Sequence, residues 1–410
     1  MKKKMDRQIF RKYKVFIDLF YSLCALGIMH GTLQIIVYPY LNKVWGTEEF
    51  GNIVSALGMV TIFAVSAGLA VNNIQLKTGD KAEKLFSFLY TVSILAVIGM
   101  ILTLLFSYRM LSGVKDLFFL GAISLVTSYR SYGDVFYRIC LNYKRYFIYY
   151  TILSFGYLAG LLALKLTGEW GIVFIFGEIL ALLYLTGTQL AQIKSKPFAR
   201  SKDKEIFRSS LLLYISLLVY YVALNFDKII LLYMIDGNAV TEFYAASLMG
   251  KTFSLLIGSL NAIILSYLVK NKNGMSFKQL YIILVLTAVL GIGALGICLL
   301  FTPFITGILY PQVQNTVNSI YVVTNIAQVL CFMSSILLTV LLYLSNSKLQ
   351  LMVQSIFTAL LVLVSSICVY YGGIHGYSKA TLIVYTAKLI LVILLCFIKT
   401  KQNLAENKMG

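Results

Sequence analysis

The chain has 410 residues, of which 59% are hydrophobic and only 12% charged, and it carries a formal net charge of +19; its mean hydropathy is +0.83. Soluble domains hold about 25% charged residues, so a water-exposed fold is excluded because too few polar side chains exist to cover it. Nucleic-acid binding is excluded as well, since it needs a basic face on a soluble fold, and here Lys and Arg sit in short gaps between long apolar runs.

Crossing roughly 30 Å of hydrocarbon takes about 20 apolar residues. Twelve such runs follow one another: 16–41, 50–74, 85–107, 117–138, 146–166, 171–192, 209–235, 241–268, 280–302, 316–345, 349–371 and 376–398. They are continuously apolar rather than alternating, which predicts helices and not barrel strands. The expected fold is an all-α polytopic membrane protein of about twelve transmembrane helices. The first run is too long for a signal-peptide core and lacks a small-residue cleavage site, so the N-terminus is expected to stay attached.

The segment 194–208 (KSKPFARSKDKEIFR) carries Pro197 and eight charges and divides the runs six and six. It reads as a cytoplasmic linker between an N-terminal bundle, 1–193, and a C-terminal bundle with a cytoplasmic tail, 209–410. Any internal repeat would be parallel, because both halves start on the same side. Glu49-Phe50 and Glu242-Phe243, 193 residues apart, open corresponding spans and echo such a repeat.

Basic residues favour cytoplasmic loops. With both termini inside, the outer loops hold Lys43, Arg109, Lys115, Lys165 and Lys379, the spans hold Arg130, Lys228, Lys251 and Lys388, and the other 26 of the 35 bases are cytoplasmic. An error of one span would reverse every later loop and destroy this 26-to-5 bias. The six cysteines lie singly in or beside apolar runs, which suits small packing residues and neither disulfides nor metal spacing.

Ionised and polar groups inside spans are costly and face bundle interiors or wet cavities. In the eighth run Tyr244, Ser247, Lys251, Ser254, Gly258 and Asn261 form one stripe at helical spacing. The twelfth repeats it with Ser378, Thr381, Tyr385 and Lys388, the seventh offers Tyr214, Tyr221, Asn225 and Lys228, and the tenth Asn318, Tyr321, Asn325 and Gln328. Ser, Thr and Asn also serve as helix-packing groups; a central lysine points more strongly to a cavity. In the fourth run Arg130, Asp134 and Arg138 lie at i, i+4 and i+8, where neighbours pair along one helix. Asp227 and Lys251 lie at similar depth, either as an ion pair or with Lys251 left to meet a ligand. The expected site is therefore a cationic cavity of Arg130, Lys228, Lys251 and Lys388, lined by Tyr244, Ser247, Ser254, Asn261, Asn325 and Tyr385. Asp18, Asp134, Glu178 and Asp227 are the candidates for ion coupling, with Glu178 favoured because no base is near it in sequence.

Two function classes fit a protein of this kind: a transporter of an anionic substrate, and a membrane-embedded glycosyltransferase or polysaccharide polymerase. The outer loops are short, with scattered acids only, and no metal cluster, Ser/His/Asp set or nucleotide loop occurs. Transport without a cofactor or metal is the expectation, and not enzymatic activity.

Tyr38-Pro39-Tyr40-Leu41 with Gly46-Thr47-Glu48-Glu49-Phe50-Gly51 resembles the junction between the first two spans of bacterial polysaccharide flippases, the Wzx-type exporters of O-antigen and capsule repeat units in the multidrug/oligosaccharidyl-lipid/polysaccharide exporter superfamily. Asn225-Phe226-Asp227-Lys228-Ile229-Ile230-Leu231, then Glu242-Phe243-Tyr244-Ala245-Ala246, is similar to that family's segments 7 and 8. Leu309-Tyr310-Pro311 and Asn142-Tyr143-Lys144-Arg145-Tyr146 resemble two of its turns. The resemblance implies alternating access between two six-helix bundles of a bacterial cytoplasmic membrane protein. It implies an undecaprenyl-pyrophosphate-linked oligosaccharide as substrate, membrane lipids as surroundings, and a polysaccharide polymerase and other assembly proteins as candidate partners. The departures are a long gap between Leu41 and Gly46 and a short turn, Asp236-Gly237-Asn238, after the seventh span.

The topology is testable in a cysteine-free background with one thiol introduced at Lys202. A membrane-impermeant maleimide should leave it unlabelled in intact cells and label it after permeabilisation; labelling in intact cells would reverse the orientation.

Overall fold

The computed structural model describes residues 2–79, 84–111, 113–194, 203–270, 275–345 and 347–409, with the backbone alone described for 2–13, 15–16, 190–194, 347, 406–409 and most of 254–270. Most of the expected linker, residues 195–202, lies outside the described residues, as does the Ser254 side chain. Among the described residues all regular structure is helical.

Helix α1 (Lys2–Gly31) passes through a π-helical turn, Thr32–Val37, into α2 (Tyr38–Val60), and α2 through a second, Thr61–Val65, into α3 (Ser66–Thr78). The apolar stretch Ile17–Thr78 has 62 residues. Straight, it would measure about 93 Å at 1.5 Å per residue, three times the hydrocarbon thickness. It turns at Gly46, φ +80°, a conformation that a Cβ disfavours. Beyond it come α4 (Leu85–Ser107), α5 (Val114–Gly133), the short α6 (Val135–Ile139), α7 (Tyr143–Thr167), α8 (Gly171–Lys194), α9 (Lys204–Met234), α10 (Gly237–Lys270), α11 (Phe277–Leu309), α12 (Gln314–Leu344) and α13 (Ser347–Met409). Within α13 the chain turns again at Gly373, φ +53°.

Among the described residues eight segments are long and apolar enough to cross a membrane. Two of them, Ile17–Thr78 and Lys348–Ala405, are each long enough for two crossings and are each divided by one of these glycine turns; α5 with α6, and α10, lie where the fourth and eighth spans are expected. Large apolar side chains such as Ile292, Leu300 and Tyr371 cover the outside, as expected of a multi-pass protein solvated by lipid.

The chain forms two compact units, Met1–Asn225 and Phe226–Gly410. In the first, small residues let backbones approach, which substitutes for the hydrophobic drive that lipid removes. A Cβ on Gly156 of α7 would stand 2.5 Å from the Cα of Gly177 on α8, and one on Gly68 of α3 would stand 2.9 Å from the Tyr132 nitrogen on α5. Ala67, Val71, Phe88, Val92, Leu95 and Tyr132 form a core that also takes Ile206 and Tyr214 of α9, so the first turns of α9 belong to this unit. In the second unit α12 is central. Ala294 and Cys298 of α11 pack on Val329 of α12, and the second arm of α13 is stitched to α12 by Ser378 to Thr324 at 3.1 Å and Asn403 to the Leu344 carbonyl at 2.9 Å. All six cysteines are free thiols.

The start of α9 is fastened to α4. Asp203 Oδ1 accepts from the backbone of Glu205 at 3.0 Å and of Ile206 at 3.4 Å, capping the helix. Its Oδ2 takes Lys84 Nζ at 2.7 Å, and its backbone nitrogen donates to Ser87 Oγ at 3.0 Å. The hydrogen bond from Lys84 holds the Asp203 carboxyl below its ordinary value, and the same bond raises the Lys84 ammonium. A depressed acid stabilises the fold above its unfolded value and loses that contribution as pH falls, whereas a raised base stabilises below its unfolded value and loses it as pH rises. Asp203→Asn keeps the cap and removes the charge pair. Its melting temperature in detergent should lie below wild type by a constant small gap between about pH 5 and 9, closing in acid below about 3.9 and in alkali above about 10.4; a gap that varies across neutral pH would disprove the assignment.

Candidate functional site

In the first unit the ionised groups of the spans meet across helices. Helix α5 ends at Gly133 and α6 begins at Val135, so Asp134 sits at a break. Its Oδ1 accepts from Asn72 Nδ2 of α3 at 2.6 Å and lies 3.7 Å from Arg138; its Oδ2 accepts from the Tyr150 hydroxyl of α7 at 3.1 Å. Arg130 does not join Asp134 along the helix as its i, i+4 spacing predicts. Arg130 Nε donates instead to Glu178 of α8 at 2.8 Å, and its guanidinium lies 5.9 Å from the Tyr150 ring centre. Tyr157 donates to the other Glu178 oxygen at 3.2 Å, and Tyr149 to the Arg130 carbonyl at 3.2 Å. Two bases thus face two acids with Asn and Tyr filling the remaining hydrogen-bond positions, and this part of the expected cavity is charge-balanced rather than cationic. The premise that singled out Glu178 is corrected too: no base is near it in sequence, but Arg130 is against it in space, and both are buried. Asp18 is half-buried on α1 and, among the described residues, pairs with no base.

In the second unit Asp227 of α9 accepts from Lys251 of α10 at 2.5 Å, and the ammonium stands 5.5 Å from the Phe243 ring centre. The ion-pair alternative for these two residues is the one observed. Lys228 is half-buried next to Asp227 and also has a polar partner. Lys388 differs from these. It is 4% exposed, donates to Gln354 Oε1 on the other arm of α13 at 3.0 Å, and has no carboxylate partner among the described residues.

Several residues expected to line a cavity act as packing groups. Asn325 of α12 donates to the Ala246 carbonyl at 3.0 Å and to its own helix at the Tyr321 carbonyl at 2.8 Å, and accepts from the Gly250 nitrogen at 3.0 Å. It is fully buried and clamps α12 to α10. Ser247 bonds back to the Tyr244 carbonyl at 3.2 Å, and the buried Tyr244 ring packs 6.1 Å from Tyr310. Asn261 is half-buried and donates at 3.5 Å toward the Ser335 carbonyl of α12. Tyr385 is half-buried one turn before Lys388, where its hydroxyl meets Cys331 of α12.

Sequence reasoning missed Asn72, Tyr150, Tyr157 and Gln354. The spacing of Tyr146, Tyr150 and Tyr157 along α7 carried a signal, since four and seven residues put all three on one face. Asn72 and Gln354 are single polar residues whose partners are remote in sequence and left no local sign. Among the described residues no group of three or more His, Cys, Asp or Glu is arranged to hold a metal.

The fold is that of known transporters. The chain superposes on the inward-facing conformation of a multidrug resistance MATE family transporter of the MOP superfamily with a TM-score of 0.71 at 14% identity, covering 94% of this chain and 95% of that one. It is similar to the outward-facing conformation of such a transporter, with a TM-score of 0.65 at 13% identity over 93% and 95% of the two chains. It also superposes on the lipid II flippase MurJ in an inward closed conformation, with a TM-score of 0.66 at 13% identity over 97% and 91%. No family model matches the sequence, and no curated protein matches it.

Removing one member of a buried pair strands the other charge at a cost of about 3–5 kcal/mol. Arg130→Gln should therefore lower membrane abundance and thermal stability, and Arg130→Gln with Glu178→Gln should recover most of both. Recovery by Asp134→Asn instead would restore the pairing along the helix.

Proposed function

We propose that this protein is a flippase that moves undecaprenyl-pyrophosphate-linked oligosaccharide repeat units across the bacterial cytoplasmic membrane for O-antigen, capsule or related surface polysaccharide. Sugar hydroxyls and a pyrophosphate cannot cross hydrocarbon without hydrogen-bonding partners. A protein performing this task needs embedded polar groups and positive charge for the head group while the lipid tail stays in the bilayer. The observation that carries the reading is the fold shared over nearly the whole chain with transporters that include a lipid II flippase, together with the composition of the second unit, whose spans carry Lys228, Lys251 and Lys388 and one embedded acid, Asp227. A drug and cation antiporter would need the opposite balance.

In this reading the units Met1–Asn225 and Phe226–Gly410 rock to open the path to each side in turn, and no bond of the substrate is made or broken. Coupling would draw on Asp18, Asp134, Glu178 or Asp227. Asp134, Glu178 and Asp227 each lie against a base, and Asp18, among the described residues, pairs with none. The sequence motifs that resemble polysaccharide flippases support the same substrate class, and a polymerase and other assembly proteins are the partners it would serve.

Deletion of the gene, followed by extraction of lipid-linked intermediates, tests this. The expected result is loss of surface polysaccharide with a complete repeat unit accumulating on the cytoplasmic leaflet. A truncated sugar would show a transferase, and a complete unit on the outer leaflet a polymerase.

A further inference from the structure

A buried ammonium is stable only when an opposite charge or several dipoles face it. Arg130 and Lys251 have Glu178 and Asp227. For Lys388 the structure supplies one amide oxygen. The acids of its unit are Asp227, which is already engaged by Lys251, Asp236 and Glu242 near the start of α10, and Glu406 near the chain end. Asp227, Asp236 and Glu242 do not pair with Lys388 among the described residues, and the Glu406 side chain lies outside them.

The surroundings of Lys388 are those of an anion site. Three helical segments converge there. The first arm of α13 brings Gln354, whose Oε1 accepts from Lys388 at 3.0 Å, leaving its amide Nε2 to donate elsewhere. The second arm brings Lys388 and, one turn earlier, Tyr385. Helix α12 brings Cys331, which hydrogen-bonds with Tyr385 and lies within electrostatic reach of Lys388. Counted along the helices from the Gly373 turn, Lys388 and Gln354 lie about 22 and 28 Å away at 1.5 Å per residue, in the half of a roughly 30 Å hydrocarbon layer that is away from that turn. An ammonium, an amide N–H and, on exchanging Cys331 for the ligand, a phenol hydroxyl are three donors suited to the oxygens of one phosphoryl group.

We propose that Lys388, with Gln354 and Tyr385, forms a phosphoryl-binding subsite, with Lys388 as the charge that a pyrophosphate, and not a protein carboxylate, neutralises. It rests on the flippase reading for the identity of the substrate but not for the existence of the site. Arg130 and Lys251, both neutralised within the protein, are outside it.

The native Cys331 reports on the site. In the full chain with the other five cysteines replaced, reconstituted in lipid nanodiscs, maleimide labelling of Cys331 should slow at least fivefold with undecaprenyl pyrophosphate. Inorganic pyrophosphate should slow it less, and phosphatidylglycerol at equal mole fraction should leave it unchanged. Lys388→Gln should abolish the protection and Lys388→Arg should retain it. In cells Lys388→Gln should reduce surface polysaccharide tenfold or more at normal membrane abundance. Equal protection in wild type and Lys388→Gln, protection by phosphatidylglycerol as strong as by undecaprenyl pyrophosphate, or full export by Lys388→Gln would each overturn the subsite. If Lys388→Gln fails to accumulate, Gln354→Leu and Tyr385→Phe carry the same protection test, and undiminished protection in both would overturn it. Protection dependent on Lys388 in a protein whose deletion leaves repeat-unit export intact would keep the site and discard the flippase reading, whereas export lost on deletion and unaffected by Lys388→Gln would do the reverse.

Discussion

Inside a helical bundle surrounded by hydrocarbon, a charge persists only where an opposite charge or a set of dipoles is turned toward it, because water is not there to do so. The interior of each unit is arranged around that requirement. In the first unit Arg130 reaches across to Glu178 and Asp134 collects Asn72, Tyr150 and Arg138, which ties α3, α5, α6, α7 and α8 together. Pairing and hydrogen bonding here do the work that apolar contact does in a soluble core. The aromatic side chains of α7 contribute their hydroxyls to the network and their rings to its packing, as in the 4.8 Å approach of Tyr146 to Tyr150.

The second unit meets the same requirement incompletely. Asp227 and Lys251 neutralise each other, and Asn325 satisfies backbone groups where α10 and α12 touch. The close approach at that point depends on Gly250, where a Cβ would stand 2.6 Å from Cβ of Gln328. Lys228 on α9 and Lys388 on α13 join Lys251 beside the one embedded acid Asp227, so the interior of this unit is richer in bases than that of the first.

The residues that resemble polysaccharide flippases acquire physical roles. Asn225 donates back to the Tyr221 carbonyl at 3.0 Å and Asp227 two residues later holds Lys251. Gly46 makes the turn between the first two membrane arms with its positive φ. Leu309 closes α11, after which Tyr310-Pro311 opens the short 3₁₀ turn into α12. Asn142 caps α7 by accepting from the Arg145 nitrogen at 3.2 Å. Each is a place where the chain turns, starts a helix or buries a charge, which are positions that tolerate few side chains.

The sequence by itself determined the solvent, the helical class and the order of the crossings, because these follow from the length and apolarity of consecutive runs and need no knowledge of neighbours. It also marked which residues carry charge into the membrane, since a Lys or Asp within an apolar run stands out locally. Which of those charges neutralise each other was decided by the tertiary structure alone. The i, i+4 spacing of Arg130 and Asp134 satisfied the helical rule, yet Glu178, 48 residues away, offered a closer carboxylate once α8 packed on α5. The stripe on α10 had the period of a cavity face and the period of a helix interface alike, and beside it the packing of α12 sets Asn325 against the Ala246 carbonyl and the Gly250 nitrogen. Periodicity identifies a face, but what that face meets depends on an element that can lie anywhere in the chain.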